Sequence, residues 1–309
     1  MPSIDDLPNE VLEQIMEHPD LEADDVMSAG QTCRWWFSLC KPIWQRRKAA
    51  EVSECWQRRD YTPSPAEVTC ATLLAAHGHL SPQIITNKAD KIQEKWSTEW
   101  YSPSPAEVTC ASSLSAHGHL PSEVLQFKAE DLAEWFGRCY STGPLLSQLE
   151  SAAALAAHGY LTHLNWLALV QVDLDSVAAD DLASLVRCTK DRCIRIYRVT
   201  GDLTPLLRNV EGDNFAIHDM SLDTSNTESL VTAMLTRVDS IWLCKVNLDI
   251  KTLTQYDGKG KCREVCLYEY ENYEEKYGNQ VEAWRRKIGW TAQRKTDEFD
   301  SITMSIMRS

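Results

Sequence analysis

The sequence predicts an α/β chain: a small helical unit first, tandem helical repeats next, then an irregular α/β solenoid with parallel strands. Three observations predict it. The apolar residues of "LPNEVLEQIM" (7–16) fall on one helical stripe. A twenty-residue segment recurs at an offset of 40. After residue 164 the apolar period changes to L-x-x-L-x-L-x-x-V-x-L. These changes of pattern divide the chain into residues 1–48, a linker helix at 49–60, the repeats at 61–162 and the solenoid at 163–309.

In the first segment Asp5 and Asp6 precede Leu7–Pro8. An acid ahead of a first-turn proline is a helix start signal. The helix runs to about Glu17, where "HPD" breaks it, and it aligns Leu7, Val11, Leu12, Ile15 and Met16. A second helical pattern begins near Ala23, with Val26, Ala29, Cys33, Trp36 and Cys40 at steps of three and four. Trp35 and Leu39 form a neighbouring stripe, and Trp44 follows Pro42. About 40 residues cannot bury this much apolar surface alone. The surplus face either meets another protein, as an amphipathic helix does in a groove, or caps the rest of the chain.

The order of these residues resembles the F-box: a Leu-Pro opening, paired apolar positions, an Asp-rich gap, a Cys-Arg-x-Trp helix and a late Trp. Here they read "LPNEVLEQIM", "DLEADD", "TCRWW" and "KPIW". The resemblance implies docking onto the Skp1-type adaptor of a cullin-RING ubiquitin ligase. It implies that Leu7, Pro8, Val11, Leu12 and Ile15 face the adaptor, with Val26, Cys33, Trp36 and Trp44 at or beneath the same surface.

"YTPSPAEVTCATLLAAHGHL" (61–80) returns as "YSPSPAEVTCASSLSAHGHL" (101–120), and a worn third copy ends in "LAAHGYL" (155–161). Repeats of this length mean stacked supersecondary units. Pro65 suits a first helical turn, and the glycine of "HGHL" suits a left-handed stop. A second helix follows in "NKADKIQEKW", "KAEDLAEWF" and "AADDLASLV". The longer third copy suggests a helix–strand–helix unit whose strand is shortened in the first two. Cys70, His77 and His79, with Cys110, His117 and His119, offer three soft ligands per copy, a set zinc accepts. The third copy keeps only His158 of these, and histidine near a helix C-terminus also suits the dipole; no metal is expected.

Beyond 164, the cores Leu167/Leu169, Ile194/Ile196, Phe215/Ile217, Ile241/Leu243 and Val265/Leu267 start 27, 21, 26 and 24 residues apart. Helical stretches such as "DDLASLVRC" and "NTESLVTAML" lie between them, the second with Thr224, Ser225 or Asn226 as its cap. The pattern resembles a leucine-rich repeat. That resemblance implies a parallel sheet whose x positions line a concave face: Asn165, Trp166, Ala168, Arg195, Tyr197, His218, Trp242 and Cys244, subject to register. The usual Asn or Cys position holds Val or Met, so an asparagine ladder is not expected. An ordinary α/β domain with parallel strands is the alternative. The tail reads as one helix and one or two strands.

Chemistry is sparse. No Walker A, G-x-G-x-x-G, G-x-S-x-G or H-E-x-x-H occurs. "DGKGK" (257–261) reads as a solvated turn. Cys188, Cys193, Cys262 and Cys266 read as structural, their spacing being wrong for common zinc knuckles. Cys33, Cys244 and Cys266 read as small buried hydrophobes. No cofactor and no catalytic residue is expected. The net charge of −14 argues against nucleic acid. No run approaches a membrane span and no signal peptide is visible, which with eleven scattered cysteines points to the cytoplasm or nucleus.

The two resemblances together imply a non-catalytic substrate-recognition subunit of a Skp1-cullin-F-box ubiquitin ligase. Its partners would be the adaptor, the cullin ligase and an unknown protein substrate, the last bound through residues such as Trp166, Arg195, Tyr197, His218 and Trp242. The competing expectation is a repeat scaffold with no link to ubiquitin.

Overall fold

Pro8 stands directly before α1 (Asn9–Met16), and its carbonyl accepts from Leu12 N at 3.1 Å. Its fixed φ and missing N–H make a proline cheap there. The computed structural model describes residues 7–58, 60–98, 101–138, 145–165, 167–189, 193–211, 214–247, 250–253, 255, 259–262, 264–268, 283, 290–295 and 303–308. Two compact units emerge: Met1–Tyr101 with Ala106–Val124, and Ser102–Pro105 with Leu125–Ser309.

After α1 come α2 (Ala23–Gly30) and α3 (Arg34–Gln57). The pattern read as one helix from Ala23 to Cys40 is therefore two. Gly30 lets the two pack closely: a Cβ there would stand 3.1 Å from Cys40 Cβ, so the bare backbone lets α2 lie against α3. Cys33 falls in the break. It is the N-cap of α3, extended and exposed, rather than the buried hydrophobe expected. Leu12, Met16, Val26, Trp36, Cys40 and Ile43 form the shared core, with Leu21, Ala29, Leu39 and Trp44 packed against it. Arg47 ties the 18–21 turn to α3, donating to His18 O at 2.7 Å and to Leu21 O.

Helix α3 runs unbroken through Pro42, across the segment read as a linker. Its second half carries a signal that the sequence reading passed over. Lys48, Ala49, Val52 and Trp56 recur at an offset of 40 as Lys88, Ala89, Ile92 and Trp96, and again as Lys128, Ala129, Leu132 and Phe136. All the apolar members are buried. The helical repeat thus begins inside the N-terminal unit.

The repeat helices are α4 (Pro65–Ala76), α5 (Pro82–Trp96), α6 (Pro105–Ala116), α7 (Ser122–Arg138) and α8 (Leu146–Ala157). A capping box opens α4: Glu67 N donates to Ser64 Oγ at 3.3 Å and Ser64 N to Glu67 Oε2 at 2.8 Å. The Tyr61 hydroxyl also donates to Glu67, and Tyr101 does the same to Glu107 at 2.6 Å in the next copy. Gly78, Gly118 and Gly159 take φ of +75°, +75° and +79°, the left-handed stops expected. The expected strand is absent from the first two copies among the described residues. Only the turn 77–81 separates α4 from α5, whereas residues 158–178 separate α8 from α9 (Ala179–Cys188) and leave room for β1 (Leu167–Val170).

The remaining elements are β2 (Cys193–Tyr197), α10 (Thr204–Asn209), β3 (Asn214–Ser221), α11 (Thr224–Thr236), β4 (Ser240–Asn247), α12 (Ile250–Leu253), β5 (Glu264–Tyr268), β6 (Trp290–Lys295) and β7 (Thr303–Arg308). They form a seven-stranded sheet in the order β1-β2-β3-β4-β5-β7-β6. The first five strands are parallel, and β7 is antiparallel to both neighbours. Leu167, Leu169, Ile194, Ile196, Phe215, Ile217, Ile241, Leu243 and Val265 are fully buried on one side. Gln171, Arg198 and Asp219 each take φ near +50°. This left-handed kink breaks the strand alternation, which is why Val172 and Val199 turn back into the core. Asp223, not Thr224, Ser225 or Asn226, caps α11, accepting from Asn226 N at 2.7 Å. The expected tail helix lies outside the described residues apart from position 283, as do the side chains of Cys193, Cys244 and Cys266 and part of "DGKGK".

Candidate functional site

Two surfaces collect the residues singled out from sequence. On α1, side chains four apart lie on the same face. Leu7, Val11 and Ile15 are exposed at 37%, 38% and 41%, and Pro8 is exposed beside them. Leu12 is the correction: it is fully buried in the three-helix core and cannot face a partner. It lies about 100° around the helix from Val11, enough to move it from the outer to the inner side. Val26 and Trp36 are buried beneath, Trp44 is half-buried and Cys33 is exposed. Trp35, placed on the neighbouring stripe but not in the adaptor-facing set, and Phe37, not singled out at all, are both exposed in the first turn of α3. Trp35 stands edge-on to Trp36 at 5.6 Å between ring centroids. Three aromatics in succession ("WWF") cannot all point inward from one helix, and that was the available signal.

The second surface is the open side of the sheet. Register places Ala168, Arg195, Ala216 and Trp242 in one row and Val170, Tyr197 and His218 in the next. The structure thus brings Arg195, Tyr197, His218 and Trp242 to one face. Trp166 lies outside the described residues. Tyr197 and Trp242 are each 37% exposed. The rings of Tyr197 and His218 are 6.1 Å apart and tilted by 30°. Arg198 lies 5.2 Å from the Tyr197 ring centroid and donates to Asp219 Oδ2 at 2.5 Å. Burial, and then the positive charge of Arg195, hold His218 below the ordinary histidine value.

Beyond the kinks, a cleft of about 680 Å3 opens at the ends of β2 and β3, lined by Asp175, Asp202, Asp219 and Asp223 among others. Asp219 is held by Arg198, and the other three serve the backbone. Asp175 accepts from Asp202 N at 2.9 Å, Asp202 from Thr204 N at 2.8 Å and Asp223 from Asn226 N. The bonds from Thr204 hold the Asp202 carboxyl below its usual range.

His117 and His119 join the two copies. His117 Nε2 lies 3.2 Å from Thr69 Oγ1, and His119 Nε2 3.0 Å from Thr72 Oγ1, so the second copy bonds to the first. Burial pushes the Cys110 thiol up to about 12. Among the described residues no group of three or more His, Cys, Asp or Glu gathers where a metal could sit. Among them, too, no helix is long and apolar enough to cross a membrane.

Residues 4–58 match the F-box-like family, a span that takes in α1, α2 and all of α3. No curated protein and no solved structure matches the chain.

Proposed function

We propose that this chain is a substrate-recognition subunit of a Skp1-cullin-F-box ubiquitin ligase. The N-terminal helices dock on the Skp1-type adaptor, and the sheet face receives a client protein. One observation carries the reading: in a unit similar to the F-box, Val11 and Ile15 stand exposed on α1 while Leu12 and Met16 anchor it from behind. An apolar stripe held outward by its own core suits a groove on another subunit.

The kinked strands, spaced 21 to 27 residues apart with helical crossovers, support a leucine-rich-repeat-like solenoid. Apolar Val172 and Val199 occupy the position of the usual asparagine. Function then comes from proximity: the assembled ligase brings a ubiquitin-charged enzyme near a lysine of the captured client. This chain contributes no catalytic residue, and its place of work is the cytoplasm or nucleus.

Co-expression of the full chain with a Skp1-type adaptor tests this. The wild type co-purifies with the adaptor, and the double variant Val11→Glu, Ile15→Glu weakens the complex at least about 30-fold, as loss of central apolar contacts does. A wild type that leaves the adaptor behind overturns the reading in favour of a repeat scaffold.

A further inference from the structure

The third copy of the repeat departs from the first two where its first helix ends. After Gly78 and Gly118 the chain enters α5 or α7 within a few residues. After Gly159 it runs on through residues 160–165 towards β1. This connector faces α7 across a cleft of about 390 Å3, within the roughly 300–1,000 Å3 that ligand pockets span.

The base of the cleft is small and apolar. Ala129 and Leu161 are buried, and Ala133 is half-buried. Glu130 is exposed on the α7 side. Among the described residues its carboxylate accepts only from the Gln126 amide, at 3.3 Å, and pairs with no cation. Glu134 also lines the cleft but is already engaged. Tyr160 stands on the connector side, at a position that is histidine in the first two copies. There His119 bonds to Thr72 of the preceding copy. The Tyr160 hydroxyl makes no such bond among the described residues. No Lys or Arg is among the residues that line the cleft.

This combination suits one kind of side chain. Arginine can lay its methylene stem on the base formed by Ala129, Ala133 and Leu161. Its guanidinium takes a carboxylate through two parallel hydrogen bonds and is attracted to an aromatic face. We propose that the cleft docks an arginine side chain of a partner protein, with Glu130 as its counter-ion and Tyr160 as its aromatic contact. The net charge of −14 draws a basic segment towards the chain, and the cleft gives it a place to lodge. None of these residues lies on α1 or in the two sheet rows, so the inference is independent of the adaptor reading.

The test uses the full chain and a phage-displayed library of random dodecapeptides. Peptides that carry arginine are enriched over blank support. The best of them, labelled with fluorescein and followed by anisotropy, binds Glu130→Gln at least about 10-fold more weakly than wild type. Lysine in place of the peptide's arginine keeps only part of the affinity, because an ammonium cannot make the paired bonds. Citrulline, which keeps the shape without the charge, loses at least as much as Glu130→Gln does. Glu228→Gln removes the same charge from an exposed position of α11 outside the cleft, and binding is unchanged. Ala133→Phe fills the cleft with Glu130 kept, and it loses binding while circular dichroism shows the fold intact. Glu130 is exposed on its helix, so Glu130→Gln decides the question even where Ala133→Phe fails to fold. Failure of any arginine peptide to enrich overturns the inference, as does equal binding to wild type and Glu130→Gln. Equal losses in Glu130→Gln and Glu228→Gln also overturn it, since they mark attraction to the acidic surface as a whole.

Discussion

Val11 and Leu12 are adjacent in sequence and opposite in fate. Leu12 is fully buried among Met16, Val26 and Trp36, whereas Val11 keeps 38% of its surface. Replacing Leu12 by Ala removes buried methyl groups and leaves a cavity, so it should cost about 2–5 kcal/mol in chemical denaturation. Val11→Ala should change stability by less than about 0.5 kcal/mol. The stripe that contains both was legible in the sequence, since its spacing fits one helix. Which edge of that stripe turned inward was not legible, because Trp36 and Cys40 of α3 decide it from outside α1. Histidines give a second prediction at this scale. Burial first, then His117, lowers the proton affinity of His119; burial first, then Arg195, lowers that of His218. The unfolded chain therefore binds these protons more tightly. The stability they contribute is whole above the unfolded value of about 6.5 and declines as pH falls through it towards the folded values. Denaturation midpoints should drop between about pH 7 and 5, and the double variant His119→Gln, His218→Gln should flatten that slope.

Among the elements, the repeat helices were the most legible because their boundaries are set locally. Pro65, the Ser64–Glu67 box and the glycine stops act within a few residues of themselves. Ser64→Ala should accordingly cost about 1 kcal/mol, measured by thermal or urea unfolding. A strand in the first two copies was expected by analogy with the third, but a five-residue turn cannot hold one. The joint at 31–33 was hidden for the opposite reason. Apolar spacing carries on in phase through it, and only the close approach of Gly30 to Cys40 shows that two helices meet there. Pro42 sits inside α3 without ending it, because Cys40, Ile43, Ala49 and Val52 bury the helix on both sides of the proline. For the sheet, the inward residues could be read from period, whereas the face shared by Arg195, Tyr197, His218 and Trp242 followed from the leucine-rich-repeat resemblance and depended on register. The kinks at Gln171, Arg198 and Asp219 could not, since none of these residues is a glycine.

At the scale of the whole molecule, adaptor docking is proposed on the α1 stripe and client capture on the sheet face. The α1 stripe is apolar, so adaptor affinity should change little between low and high salt. The central claim is that the exposed stripe of α1 is the adaptor surface. Hydrogen exchange of the full chain, with and without a Skp1-type adaptor, tests it most directly. The account predicts slowed exchange in residues 9–16 and in the first turns of α3, with β1 to β5 unchanged. Unchanged exchange in α1 beside a bound adaptor, or protection confined to the sheet, would contradict it.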